Sequence, residues 1–154
     1  MSVLTEDKLD QARAIYNEYL QDRGLRHTTE RKAIFEEVYA TDRHFDADEL
    51  YIQLKEKGVG VSRATVYNTL DLLTDCELVV RHQFGGKQAT YERAYSYWQH
   101  DHLICTDCGH IHEFCDPRIQ SVRDMAEEIF NFEITRHSLQ MYGSCRNAEC
   151  PHRN

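Results

Sequence analysis

Four cysteines in two short clips carry the clearest chemistry in this sequence. Cys105 and Cys108 are separated by two residues, and Cys145 and Cys150 by four. Each clip can aim two sulfurs at one point, and four thiolates at about 2.3 Å form a tetrahedral Zn²⁺ site. Residues 100–102, a His-Asp-His run, directly precede the first clip and suit a second metal centre with nitrogen and oxygen ligands. The sequence therefore predicts a metal-binding protein.

Composition places this chemistry in an ordinary globular chain. The 154 residues are 41% hydrophobic and 29% charged, which fits one compact domain or two small ones. No stretch approaches the ~20 apolar residues of a membrane span, and residues 1–7 lack the basic and apolar regions of a signal peptide. We therefore expect a cytosolic protein whose paired cysteines stay reduced and bind metal. The two other cysteines, Cys76 and Cys115, are expected to be small buried hydrophobes.

The first half of the chain has the periodicity of helices followed by a hairpin. Spacing and capping residues predict four helices: 6–20, a second beginning at Thr28 or Thr29, a third opened by 46–49, and 63 to about 75. Two short strands, 78–80 and 89–92, follow around a turn that contains Gly85 and Gly86. This order is typical of a winged helix-turn-helix, although the helical spacing alone fits an ordinary helical bundle equally well.

The fourth helix has the residues of a DNA-reading element. It follows a glycine-containing turn at 58–61 and presents side chains able to reach base edges and phosphates: Arg63, Thr65, Tyr67 and Asn68. A basic window lies upstream, formed by Arg23, Arg26, Arg31 and Lys32. This window either contacts DNA phosphates or is a solvated helix end. The net charge of −8 argues mildly against nucleic acid, but local charge decides DNA binding.

The second half, about 60 residues long, is too small to be stable without a staple, that is, a metal site or a partner chain that adds stability. Strands are predicted at 102–105, 110–114 and 138–142, with an amphipathic helix at 119–130. The zinc clips would supply one staple. Association of two chains through the apolar face of that helix would supply another.

The order of these motifs resembles the ferric uptake regulator (Fur) family. After the winged helix come Arg81-His82-Gln83-Phe84-Gly85-Gly86-Lys87, then His100-Asp101-His102-Leu103-Ile104-Cys105-Thr106-Asp107-Cys108-Gly109, then His137-Ser138-Leu139 and Tyr142-Gly143. The resemblance covers about residues 24–150. It implies an α+β fold with a winged-helix DNA-binding domain at 1–93, a hinge at 94–97 and an α/β dimerisation and metal-binding domain at 98–154.

The resemblance also implies a function and two metal sites. Members of the family are cytoplasmic homodimeric repressors that bind palindromic DNA operators when loaded with metal, and they act on no small organic substrate. Cys105, Cys108, Cys145 and Cys150 match the structural zinc site. The regulatory site matches five other positions: His44, Glu92, His100, His102 and Glu113. Three imidazoles and two carboxylates suit Fe²⁺, Mn²⁺ or Zn²⁺.

Two departures from the family pattern affect the prediction. Many members carry a second peripheral metal site, whose positions here are Gln99, Asp101, Gln120 and His137. Because a neutral carboxamide is a weak ligand, we expect this site to be weakened or lost, with the two glutamines bonded to each other. Asn68 stands where several iron regulators have Arg, as it does in some peroxide-sensing relatives, which leaves both the operator sequence and the sensor class open.

Alternatives stay open both for the metal or oxidant that the protein senses and for the functional class of the protein. Fe²⁺ is favoured because the regulatory carboxylates are Glu92 and Glu113, whereas peroxide sensors of this family typically have aspartates there. A zinc sensor would more often use a thiol, while manganese and nickel stay open. Two alternatives are not repressors. A non-haem metalloenzyme requires open coordination positions and a cleft, and a zinc-stapled interaction module leaves the fourth helix unexplained.

Overall fold

The structure, a computed structural model, describes residues 4–86, 88–94, 100–147, 150 and 152. Four parts of the sequence interpretation therefore lie outside the described residues: the first three residues of the N-terminus, Lys87, residues 95–97 of the expected hinge, and Gln99. The chain divides into two compact units, Met1–Tyr97 and Trp98–Asn154. No helix in the described ranges is long and apolar enough to cross a lipid bilayer.

The first unit consists of four helices and a two-stranded hairpin. Its elements in chain order are α1 Glu6–Asp22, α2 Thr29–Ala40, α3 Ala47–Glu56, α4 Arg63–Asp75, β1 Val79–His82 and β2 Thr90–Arg93. The strands pair antiparallel, from Val79 opposite Arg93 to His82 opposite Thr90. The expected order of helices and hairpin is confirmed, with strand boundaries shifted by one or two residues.

Side chains at the helix starts explain why these helices begin where they do. Ser62 accepts a hydrogen bond from the backbone N–H of Thr65 at the start of α4. Asp46 and Glu49 form a reciprocal capping box at the start of α3. The inward faces then share one apolar core whose most buried members include Ile34, Phe45, Leu50, Leu70 and Leu73. This core holds the hairpin against α4 and so fixes the position of the residues on β2.

The second unit is a three-stranded sheet with one helix. Its elements are β3 Asp101–Cys105, β4 Ile111–Phe114, α5 Pro117–Phe130 and β5 Gln140–Gly143. The strand order is β4-β3-β5, with β4 antiparallel and β5 parallel to the central strand. The parallel pairing requires the crossover that α5 provides. With the first unit, this gives the α+β fold that the sequence predicts.

The apolar stripe of α5 is exposed. Val122, Met125, Ile129 and Phe130 are each more than half accessible, and no residue of the helix is buried. Four large apolar side chains on one helix face form a patch of the kind that associates with another surface. This agrees with the expectation that the helix packs against a second chain.

One expectation about the leftover cysteines is wrong. Cys115 is exposed, because it lies between the end of β4 and Asp116, the residue that caps α5. Cys76 is partly buried and packs against the apolar core at the end of α4. Burial there raises the pKa of the Cys76 thiol to about 11, so it stays protonated and inert at neutral pH.

Candidate metal centre and DNA-binding surface

In the first unit, two of the predicted regulatory ligands lie side by side. Phe45 and Tyr91 form an isolated antiparallel bridge through two backbone hydrogen bonds of 3.1 and 2.8 Å. This bridge places His44, the residue before Phe45, next to Glu92, the residue after Tyr91. The Nε2 atom of His44 lies 3.1 Å from Oε2 of Glu92, and both side chains are about nine-tenths buried. An imidazole and a carboxylate are therefore held together by backbone pairing.

A third group, His82, joins this pair. Its Nε2 atom lies 2.5 Å from Oε1 of Glu92, and its side chain is also buried. Val80 pairs with Glu92 across the hairpin, so His82 is the diagonal neighbour of Glu92 on the same face. No role for His82 follows from the sequence pattern alone. His82 lies two residues along β1 from Val80, the cross-strand partner of Glu92. This relation can be recognised only when the register of the hairpin is known.

In the second unit, the other three predicted regulatory ligands come together. His102 on β3 pairs with Glu113 on β4, and His100 lies just before β3. The imidazole rings of His100 and His102 are 4.8 Å apart between centroids, and His100 Nε2 lies 3.8 Å from Oε1 of Glu113. The ligand atoms of all three lie within 4.8 Å of one another. Two imidazoles and one carboxylate are a suitable partial ligand set for Fe²⁺, Mn²⁺ or Zn²⁺.

The first cysteine clip is a tight turn at the end of β3. The backbone N–H of Gly109 donates to the carbonyl of Cys105 at 2.9 Å, and the N–H of Cys105 donates to the carbonyl of His110 at 2.9 Å. Gly109 adopts a φ of 74°, which glycine tolerates without strain. Backbone N–H groups of Cys108 and Asp107 lower the pKa of the Cys105 thiol, which favours the thiolate that binds metal.

The second clip is tied to the first. The carboxylate of Asp107 accepts hydrogen bonds from the backbone N–H of Cys145 at 3.2 Å and from the hydroxyl of Ser144 at 3.3 Å. The Sγ atoms of Cys108 and Cys150 are 3.7 Å apart. A sulfur from each clip is therefore at about the separation found between two ligands of one tetrahedral Zn²⁺ ion.

The predicted peripheral positions are only partly together. His137 Nε2 lies 3.1 Å from Oδ1 of Asp101, so these two potential ligands form a partly buried pair. The side-chain amide of Gln120 instead donates to Asp124, one turn further along α5, at 2.7 Å. The expected bond between the two glutamines involves Gln99, which is outside the described residues.

The predicted DNA-reading side chains at the start of α4 are not equally available. Tyr67 and Asn68 are exposed. The hydroxyl of Thr65 hydrogen-bonds to Ser62 at 2.9 Å. Arg63 forms an ion pair with Asp48 on α3, and its guanidinium lies over the ring of Tyr51, 4.5 Å from the ring centroid. Arg63 thus links α3 to α4 in addition to facing solvent.

The basic window is also structured. The guanidinium of Arg31 donates to the backbone carbonyl of Arg26 at 2.6 Å, and Arg23 lies over the ring of Tyr19 at 5.0 Å. Arg26 itself is exposed at the segment joining α1 to α2. The contact with Arg26 holds the Arg31 guanidinium near the start of α2, where the helix dipole also favours phosphate.

Comparison with known proteins identifies the family. A model of the ferric uptake regulator family matches residues 22–142 of the chain. The chain belongs to the ferric uptake regulator family. It is 39% identical to the ferric uptake regulation protein of Vibrio anguillarum, over 136 residues that make up 87% of this chain and 90% of that protein.

Solved structures of ferric uptake regulators have the same fold. The crystal structure of the Vibrio cholerae regulator is 37% identical, with a TM-score of 0.70 over 84% of this chain and 98% of that one. The regulator from Pseudomonas aeruginosa, solved with manganese, is 33% identical, with a TM-score of 0.74 over 85% of this chain and 98% of that one. Members of the family are DNA-binding transcriptional regulators and not enzymes, so the metalloenzyme alternative is excluded.

Proposed function

We propose that this protein is an iron-dependent repressor that binds palindromic operators as a homodimer in the cytoplasm. One observation carries the proposal. The regulatory ligands are divided between the units, with His44 and Glu92 in the first and His100, His102 and Glu113 in the second. A divided ligand set suits a metal that acts by linking a DNA-binding unit to a dimerisation unit.

The first unit supplies the DNA contacts. Tyr67 and Asn68 on α4 are exposed, which supports a role in contacting base edges in a major groove. Arg63 and Thr65, with Arg26 upstream, would position the helix through phosphate contacts. Two such units in a homodimer read half-sites about one helical turn (~34 Å) apart only when their spacing is fixed.

The second unit supplies the dimer and a permanent metal. Cys105, Cys108, Cys145 and Cys150 would hold structural Zn²⁺, which fits the turn at the first clip and the link through Asp107. The exposed apolar face of α5 would be buried against a second copy of the chain. This unit would therefore bring two DNA-binding units together in one dimer.

The regulatory metal selects one arrangement of the units. When bound, Fe²⁺ supplies a single centre that accepts ligands from both units. His44 and Glu92 would hold the ion from the first unit, and His100, His102 and Glu113 would hold it from the second. Metal binding then stabilises the arrangement of the units that can bind DNA. The metal therefore acts as a co-repressor, because it shifts the population of the protein toward that arrangement. Glu92 and Glu113 favour reversible iron sensing over peroxide sensing.

Operator binding by the zinc-loaded dimer, titrated separately with Fe²⁺, Mn²⁺, Zn²⁺ and Ni²⁺, tests this function. Binding should tighten with Fe²⁺ and with Mn²⁺ as its air-stable substitute, and should be weak without added metal. A low-peroxide challenge of the Fe²⁺ form should leave DNA binding intact. Metal-independent binding would refute the co-repressor role, and rapid loss of binding with oxygen added to His44 or His100 would favour a peroxide sensor.

A further inference from the structure

We propose that His82 is a positioning residue for the regulatory metal. It holds the carboxylate of Glu92 in a fixed orientation, so that one oxygen is occupied by the protein and the other stays beside His44. This inference rests on the proposed regulatory role of Glu92. It assigns a function to a histidine that is not among the five proposed ligands.

The hydrogen-bonding geometry around Glu92 carries the proposal. Oε1 of Glu92 lies 2.5 Å from His82 Nε2, while Oε2 lies 3.1 Å from His44 Nε2. An ionised carboxylate only accepts hydrogen bonds, so the ring nitrogen of His82 is the donor. Each oxygen of Glu92 therefore has its own imidazole. Because Oε1 is held by His82, the carboxylate of Glu92 cannot rotate freely about its Cγ–Cδ bond. Oε2 therefore keeps its orientation toward His44.

The ring of His82 is itself held in place. It is stacked on Phe84 with 4.8 Å between ring centroids and 12° between planes, and its side chain is about nine-tenths buried. The ring of His44 meets it edge-on at 5.9 Å. Backbone pairing within the hairpin sets the Cα positions, since His82 and Glu92 belong to adjacent strands in one register. A buried, stacked donor of this kind pre-organises a ligand before any metal arrives.

This arrangement has the form of an outer-shell contact. Groups that hydrogen-bond to a metal ligand orient it, and their removal typically costs roughly 10–100-fold in metal affinity. The alternative is that His82 only completes the buried end of the hairpin. That role would alter the stability of the metal-free protein but would not weaken metal binding in a way that depends on Glu92.

The test measures Mn²⁺ affinity by calorimetry on the full-length, zinc-loaded dimer. His82→Leu should weaken Mn²⁺ binding by roughly 10–100-fold while leaving zinc content and dimer mass unchanged. His82→Gln keeps an amide donor of similar reach and should recover part of the affinity. His27→Leu, at an exposed histidine of the same unit, is the matched control and should bind Mn²⁺ normally.

A double-mutant cycle separates positioning from structure. In a Glu92→Gln background, which lacks the charged acceptor, His82→Leu should cause little further loss of Mn²⁺ affinity. If His82→Leu does not fold, the same cycle is run with His82→Gln. Wild-type affinity in the His82 variant, or equal losses in both backgrounds, would overturn the inference alone. A wild-type protein that binds no Mn²⁺ beyond its zinc would overturn the proposed function as well.

Discussion

At the scale of single residues, the chain separates soft from hard metal ligands. The two clips offer only thiolates, which suit Zn²⁺, whereas the ligands proposed for the regulatory metal are imidazoles and carboxylates. Backbone hydrogen bonds shape the turn that carries both sulfurs of the clip at Cys105 and Cys108. Substitutions at the proposed regulatory ligands should therefore leave the zinc content unchanged.

Cys108→Ser should remove the structural zinc and with it the dimer. Serine is a poor zinc ligand, and structural zinc contributes on the order of 10 kcal/mol to small stapled domains. Metal analysis and mass measurement in solution check this result. Cys115→Ser, at an exposed cysteine outside the clips, is the control and should change neither quantity. A Cys108→Ser dimer that keeps its zinc would show that the clips do not form the site.

Tyr67→Ala should weaken operator binding by about 1–3 kcal/mol, the usual contribution of one base contact. Its exposed ring on α4 is among the side chains proposed to face the groove. Mobility shift at fixed Mn²⁺ measures the effect, and Tyr67→Phe distinguishes the ring from the hydroxyl. Normal operator binding by Tyr67→Ala would show that α4 is not part of the interface.

Arg26→Ala should instead lower the slope of log affinity against log salt by about one.

At the scale of elements, helices could be predicted from the sequence more fully than strands. Ser62 and the capping box at Asp46 and Glu49 mark two helix starts by local chemistry alone. Strand register is a property of two segments and is not encoded in either one. The bridge between Phe45 and Tyr91, which sets His44 beside Glu92, could not be predicted for that reason, and neither could the role of His82.

Ile129→Glu should dissociate the dimer. Ile129 lies in the middle of the exposed apolar stripe of α5, and burying a charge there without a partner is unfavourable. Analytical ultracentrifugation of the zinc-loaded protein should show a monomer with unchanged zinc content. Glu128→Lys, one residue away and off the stripe, should remain a dimer. If Ile129→Glu also remains a dimer, the association surface lies elsewhere.

At the scale of the whole molecule, the proposed metal response requires ligands from both units. His44→Ala and His102→Ala should each give a folded, zinc-loaded dimer whose operator affinity no longer increases with Fe²⁺ or Mn²⁺. Either substitution detaches one unit from the shared ion, so the two losses should be similar in size. DNA titrations with and without metal test this, with His27→Ala as control. A response that survives in His44→Ala would mean that the second unit binds the ion alone.

Each protomer should bind two metal ions, one structural and one regulatory. The peripheral set has the neutral amide of Gln120 as a potential ligand, and this amide donates to Asp124 at 2.7 Å instead of joining Asp101 and His137. Equilibrium dialysis followed by elemental analysis gives the number directly. A third equivalent of tightly bound metal that disappears in His137→Ala would show that the peripheral site is retained.

The central strand β3 has a consequence for how the protein is loaded. Its five residues carry His102 near one end and Cys105 at the other, so both proposed metals draw on one short piece of backbone. In the proposed assignment, loss of zinc would also weaken the response to iron, because Cys105 and His102 share this strand. A cell short of zinc would then contain protein that responds poorly to iron even when iron is abundant.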